Sequence, residues 1–181
     1  MLSYTQSVTA SNEKPVFRYA KDALQVIGGS LFLAFSAQIA IPFLPVPLTM
    51  QTFAVMILAL TLGKVKGTLS VVAYIMESML GLPVLSQATI APLAIVGLRG
   101  GYLFGMIVQS YLVGSLFEKF SKLSYSMLLV SLLLISSLQL SMGTLWLGSF
   151  IGWNQALMVG FYPFIIGETI KCISLLCIAK K

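Results

Sequence analysis

The chain has 181 residues, of which 58% are hydrophobic and 9% charged, and its mean hydropathy is +0.97. A soluble globular domain carries roughly 45–50% apolar and about 25% charged residues, so a water-soluble fold could not cover this much apolar surface. The net charge of +6 would suggest nucleic acid in a soluble protein, but here the bases sit in short clusters between apolar segments, as the positive-inside rule expects, and nucleic acid is excluded as a partner.

In chain order, residues 1–23 mix Asn12, Glu13, Lys14, Arg18, Lys21 and Asp22 without the apolar core of a cleavable signal, so this segment is expected to stay on the cytoplasmic side. Residues 24–181 then read as one membrane domain. A first apolar run, about 24–41, ends in Ile41-Pro42-Phe43-Leu44-Pro45-Val46-Pro47, whose prolines cannot continue a regular helix. The second run, about 48–63, is closed by Lys64-Val65-Lys66-Gly67, and the third, about 67–82, leads into a Gly- and Pro-punctuated stretch reaching Gly101. A fourth run spans about 101–117, a fifth about 126–148, and a sixth about 156–179 with Pro163 near its start. At roughly 20 residues per crossing this predicts an all-α, multi-pass protein with six transmembrane helices. Lys14, Arg18 and Lys21, Lys64 and Lys66, Lys119 and Lys122, and Lys180 and Lys181 fall in every second loop or at the ends, which puts both termini in the cytoplasm. Several runs are shorter than a straight span needs, a feature tolerated where irregular backbone lines a cavity.

The chain lacks histidine and has a single aspartate, Asp22, which removes His-based catalysis, most zinc and iron sites and any Asp–Asp dyad. Cys172 and Cys177 are five apart on one helix and face different ways, so neither a disulfide nor a metal pair is expected. No Gly-Lys-Ser/Thr phosphate loop occurs, so any ATP-driven work must be done by another polypeptide.

Ionisable groups inside membrane segments cost about 2.5–3.5 kcal/mol each on insertion scales, which makes them site candidates. Glu168 and Lys171 share one helix face at a spacing of three and can neutralise one another, either as a structural pair or as a solute-binding pair. Glu77 has no partner in its own helix and would meet Arg99 or water. Arg99, followed by Gly100-Gly101-Tyr102, suits an anionic solute, or else anchors the chain at the headgroups with Tyr102. Thr49, Gln51 and Thr52 after the proline loop, and Ser86 with Gln87 in the later loop, supply amide and hydroxyl groups that orient polar solutes. Ser30, Ala34, Ala37 and Ala40 recur every three or four residues, making a smooth stripe for an internal helix contact or for a docking partner.

Four motifs in order carry a resemblance: Pro45-Val46-Pro47-Leu48-Thr49-Met50-Gln51-Thr52, Gly81-Leu82-Pro83-Val84, Gly100-Gly101-Tyr102-Leu103-Phe104-Gly105, and Pro163-Phe164-Ile165-Ile166-Gly167-Glu168-Thr169-Ile170-Lys171. From about residue 24 onward the chain resembles the BioY family, the biotin-specific substrate-binding subunits (S-components) of energy-coupling factor transporters. The resemblance implies a six-helix fold in the cytoplasmic membrane, capture of biotin, and partnership with a transmembrane coupling protein and two ATPase subunits. It implies a transport protein without enzymatic activity or cofactor, whose ligand meets Glu168 and Lys171; Arg99, Tyr102, Thr49, Gln51 and Gln87 are expected as further contacts from their own chemistry. It also favours Ser30, Ala34 and Ala37 as the face that docks on the coupling protein. This chain has Glu168 where the family usually has Asp, and Gly97-Leu98-Arg99 where Gly-Pro-Thr is usual. Biotin combines an apolar tail and thioether ring with a ureido group and a carboxylate, which suits a mostly apolar pocket holding a few polar groups. Subunits for another vitamin, a membrane-embedded enzyme and a ligand-free structural subunit are the alternatives.

Overall fold

The computed structural model describes residues 15–42, 45–86, 95–119 and 124–179. Helix α1 is Pro15–Gln38, and strands β1 (Ala40–Ile41) and β2 (Leu48–Thr49) pair antiparallel across the proline loop. Helices α2 (Gln51–Met79), α3 (Gly100–Lys119), α4 (Tyr125–Ile151), α5 (Trp153–Gly160) and α6 (Tyr162–Ala179) follow. Among the described residues the ribbon is the sole exception to an all-α architecture. Four stretches, Gln51–Met79, Gly100–Lys119, Tyr125–Ile151 and Trp153–Ala179, are long and apolar enough to cross a membrane.

Helix α1 starts at Pro15, a residue tolerated in a first turn because its missing N–H has no partner to lose there. Residues 15–23 of the expected N-terminal segment are therefore already helical. Small residues line its inward face: Gly29, Ser30, Ser36 and Ala37 are buried with Leu33, while Leu24, Ile27, Leu31 and Phe35 point outward.

Helix α2 is a hairpin rather than a rod. Gly63 has φ 79° and ψ 174°, a conformation in which a side chain would be strained, and the chain reverses there. The proof is the hydrogen bond from Gln51 Nε2 to Tyr74 Oη at 2.6 Å; a straight helix would hold residues 23 apart about 35 Å from each other. The arms 51–62 and 64–79 thus lie side by side, and the reversal falls just before the expected Lys64-Val65-Lys66-Gly67 closure. Glu118 braces the turn: its Oε1 accepts from the Lys64 backbone N–H at 2.9 Å and its Oε2 pairs with Lys64 Nζ at 3.2 Å. Lys66 pairs with Asp22 at 3.0 Å, so the charges of α1, α2 and α3 meet at the end of the bundle opposite the ribbon.

The sixth apolar run is two helices. Phe161, with φ −120° and ψ −63°, breaks the path, and Pro163 cannot donate to the preceding turn. The carbonyl of Gly160 freed by the break accepts from Tyr102 Oη at 2.8 Å and Thr144 Oγ1 at 3.2 Å.

Three apolar clusters hold the helices: one around Leu33, Val55 and Tyr74, one around Met56, Leu132 and Leu175, and one around Tyr102, Leu147 and Phe164. Leu134 and Ile166, by contrast, are 66% and 71% exposed, the surface that a hydrocarbon environment tolerates and water does not. Because lipid is as apolar as leucine, close packing and hydrogen bonds between helices set the arrangement more than burial does.

Candidate solute-binding site

A cluster of polar groups lies below the ribbon, where β2 runs into α2 and faces α6. Glu168 is 3% exposed, and its Oε1 lies 2.8 Å from Lys171 Nζ. One helical turn provides that pair, as the spacing of three requires. Strand β2 and helix α2 complete it: Lys171 Nζ also donates to the Thr49 carbonyl at 2.8 Å and to Thr52 Oγ1 at 2.7 Å, while Thr52 Oγ1 donates to Glu168 Oε1. All three ammonium donors are therefore engaged. The pair is a clamp joining α6 to the segment 49–52, and Glu168 Oε2 is left without a hydrogen-bond partner.

Above the clamp lies a small cavity of about 70 Å³, walled by Thr49, Gln51, Thr52, Ser86, Arg99, Tyr102, Gln139 and Phe164 among apolar neighbours. Thr49 Oγ1 donates to Gln51 Oε1 at 2.9 Å, and Tyr74 Oη in turn donates to the Val84 carbonyl at 3.2 Å. Arg99 Nη1 donates to Ser86 Oγ at 3.3 Å. Burial holds its guanidinium below the usual arginine range, and the neighbouring Tyr74 works in the opposite direction; arginine at this site is still a cation. Tyr102 stacks on Phe164 with ring centroids 6.1 Å apart. A wider groove of about 370 Å³ opens on the other side of Thr49, lined by Ile39, Leu48, Met50, Phe53, Ile170 and Lys171. Thr49 borders both spaces, so segment 49–52 is the partition between them. The inner cavity is smaller than the roughly 300–1,000 Å³ of sites for drug-sized ligands, so a ligand must displace this partition or its neighbours.

Of the residues expected to meet a solute, Thr49, Gln51, Arg99 and Tyr102 line the inner cavity and Lys171 lines the outer groove. Glu168 lies behind Thr52, lining neither. Gln87 lies outside the described residues. Tyr102 contributes its ring to the wall, while its hydroxyl is committed to Gly160. Glu77 meets neither Arg99 nor a second charge: its Oε1 accepts from Ser30 Oγ at 2.6 Å and its Oε2 has no partner. Part of the stripe on α1 is used within the bundle. Ser30 and Ala37 are fully buried, whereas Ala34 packs on the first apolar cluster and stays half-buried, as does Ala40. Cys172 is buried, Cys177 exposed, and both are free thiols. Among the described residues no cluster of three metal-ligating side chains occurs.

Tyr74, Gln139 and Phe164 are wall or support residues that the sequence reading passed over. Tyr74 and Phe164 look like ordinary apolar filling in their runs. Gln139 had a signal, an amide in the middle of an apolar span, where an unpaired polar group is costly.

Known proteins resemble this chain in sequence and in fold. The chain is 36% identical to "Biotin transporter BioY" of Thermotoga maritima over 161 residues, 87% of this chain and 94% of that one. It is 33% identical to "Probable biotin transporter BioY" of Pyrococcus horikoshii over 84% of this chain and 91% of that one. Its fold superposes on the crystal structure of an S-component for biotin from an ECF-type ABC transporter with a TM-score of 0.77, at 25% identity, covering 93% of each chain. The model of the BioY family matches residues 6–181, and the chain belongs to that family.

Proposed function

We propose that this protein is the biotin-binding membrane subunit of an energy-coupling factor transporter, working in biotin uptake and drawing energy from separate ATPase subunits through a transmembrane coupling protein. The observation that carries the reading is the inner cavity: one cation, Arg99, faces the amides and hydroxyls of Gln51, Thr49 and Thr52 within apolar walls. That is the mixture of demands biotin makes. Arg99, with a single long hydrogen bond to Ser86, is free to take the carboxylate, whereas Lys171 has every donor engaged. The ureido group then reaches the Thr49–Thr52 side, and Lys171 and Glu168 join it once the partition moves. Gln87 completes the set from the later loop. A phosphate loop is absent from the sequence, which supports an external energy source.

The hairpin in α2 supports six crossings: α1, the two arms of α2, α3, α4, and α5 with α6. The alternation of bases supports cytoplasmic termini, a membrane domain over residues 24–181 and residence in the cytoplasmic membrane. With Ser30 and Ala37 buried, docking on a coupling protein along α1 falls to Ala34 and the exposed Leu31 and Phe35 beside it.

The test is calorimetric titration and thermal shift of detergent-purified protein with biotin, thiamine and riboflavin. Saturable binding and stabilisation by biotin alone is the expected result. A response to thiamine or riboflavin instead moves the protein to another vitamin, and turnover of the bound ligand would make it an enzyme.

A further inference from the structure

Gln139 is the best-buried polar side chain in the wall of the inner cavity, 2% exposed, in the middle of α4. Its Nε2 reaches the Tyr102 carbonyl at 3.4 Å, beyond the ordinary range of such a bond, and its Oε1 has no hydrogen-bond partner. The Tyr102 carbonyl identifies the amide nitrogen, so the unpartnered atom is the acceptor. An acceptor left unpaired in a low-dielectric interior is costly, and a side chain of this kind at a cavity wall is matched to something that enters the cavity. Gly105 makes the room: a Cβ there would stand 3.0 Å from both Gln139 Cγ and the Gln139 carbonyl. The amide nitrogen lies against the Tyr102 carbonyl, three residues along the chain from Arg99, and the amide and the cation line the same cavity from α4 and from the start of α3.

A primary carboxamide presents one acceptor and one donor side by side. Its complement is a cyclic urea edge, an N–H beside a C=O, which it engages with two parallel hydrogen bonds. We propose that Gln139 reads the urea edge of the ligand: Oε1 accepts from a ring N–H while Nε2 leaves the Tyr102 carbonyl and donates to the urea oxygen. Gln139 is then a specificity-determining contact in the wall of the cavity. This inference rests on the biotin reading above.

The experiment compares wild type, Gln139→Leu and Gln139→Glu, each purified as a monodisperse species, for binding of biotin, desthiobiotin and 2-iminobiotin. Desthiobiotin keeps the cyclic urea, whereas 2-iminobiotin replaces its oxygen with a protonated nitrogen and offers donors only. Gln139→Leu is expected to weaken biotin and desthiobiotin by the same factor, about ten- to hundredfold for two hydrogen bonds. Gln139→Glu is expected to shift selectivity by about tenfold or more towards 2-iminobiotin, because a carboxylate complements the donor-only edge. Loss of all three ligands in equal proportion in both variants would mean a purely structural role and overturn the proposal, as would biotin binding by Gln139→Leu within twofold of wild type. Wild type that fails to bind biotin sinks the biotin reading itself, and this proposal with it.

Discussion

Among the described residues two carboxylates, Glu77 and Glu168, are bonded between helices away from the charged end of the bundle, and the protein treats them differently. Glu168 on α6 shares its Oε1 between the Lys171 ammonium and the Thr52 hydroxyl, and the cluster ties α6 to the start of α2. Glu77, on the second arm of α2, receives a single hydroxyl donor from Ser30 on α1. The first is a charge compensated by a charge at the edge of the binding cavity, while the second is a lone acid pinned between two helices by one hydrogen bond. A compensated pair beside a cavity can exchange partners with a ligand without exposing a net charge to lipid, and a lone acid cannot. On the proposed reading, the contrast gives ligand chemistry to Glu168 and Lys171 and helix packing to Glu77 and Ser30.

The most severe way to break the contrast is to remove one partner of the compensated pair. Lys171→Met leaves Glu168 buried without its cation and is expected to cost about 3–5 kcal/mol of stability, measured as equilibrium unfolding in mixed micelles, with biotin binding falling below detection. Wild-type affinity in that variant would show that the clamp takes no part in capture. Next, Ser30→Ala removes the sole hydroxyl from Glu77 and should lower stability by about 1–3 kcal/mol while leaving the affinity of the folded fraction for biotin unchanged. A loss of affinity there would erase the division of roles. The double variant Glu168→Gln/Lys171→Met is expected to recover most of the loss of Lys171→Met, to within about 1–2 kcal/mol of wild type, because no unpaired charge is left. Recovery of stability without recovery of binding would separate folding from recognition. The smallest effect belongs to Glu77→Gln, under about 1 kcal/mol, since the amide carbonyl still accepts from Ser30.

What could be read in advance follows from distance along the chain. Glu168 and Lys171 are three residues apart, and helical periodicity alone puts them together. Their partner Thr52 is 116 residues away from Glu168, and no local pattern announces that meeting. The same holds for Gln139 against Tyr102. The hairpin of α2 was visible as two apolar runs, although its turn sits at Gly63 because glycine, not lysine, takes the positive φ. The small-residue stripe of α1 was visible too, but spacing cannot tell which neighbour a smooth face receives, and here it receives α2. Breaking the sixth run needed more than Pro163: Tyr102 and Thr144 have to be in place to donate to the freed Gly160 carbonyl.

The Gly63 reversal has one further consequence, for the bilayer itself. The arm 51–62 is about 18 Å long, and α4 with its 27 residues is about 40 Å long, against a hydrocarbon thickness of about 30 Å. The short arm is largely enclosed by the bundle, whereas α4 carries exposed apolar residues such as Leu134 and Leu145 and is longer than its surroundings. Such hydrophobic mismatch is relieved by tilt or by local thickening of the lipid, at fractions of a kcal/mol per Å. The resting inclination of the protein, and with it the depth at which its cavity sits, becomes a function of acyl-chain length.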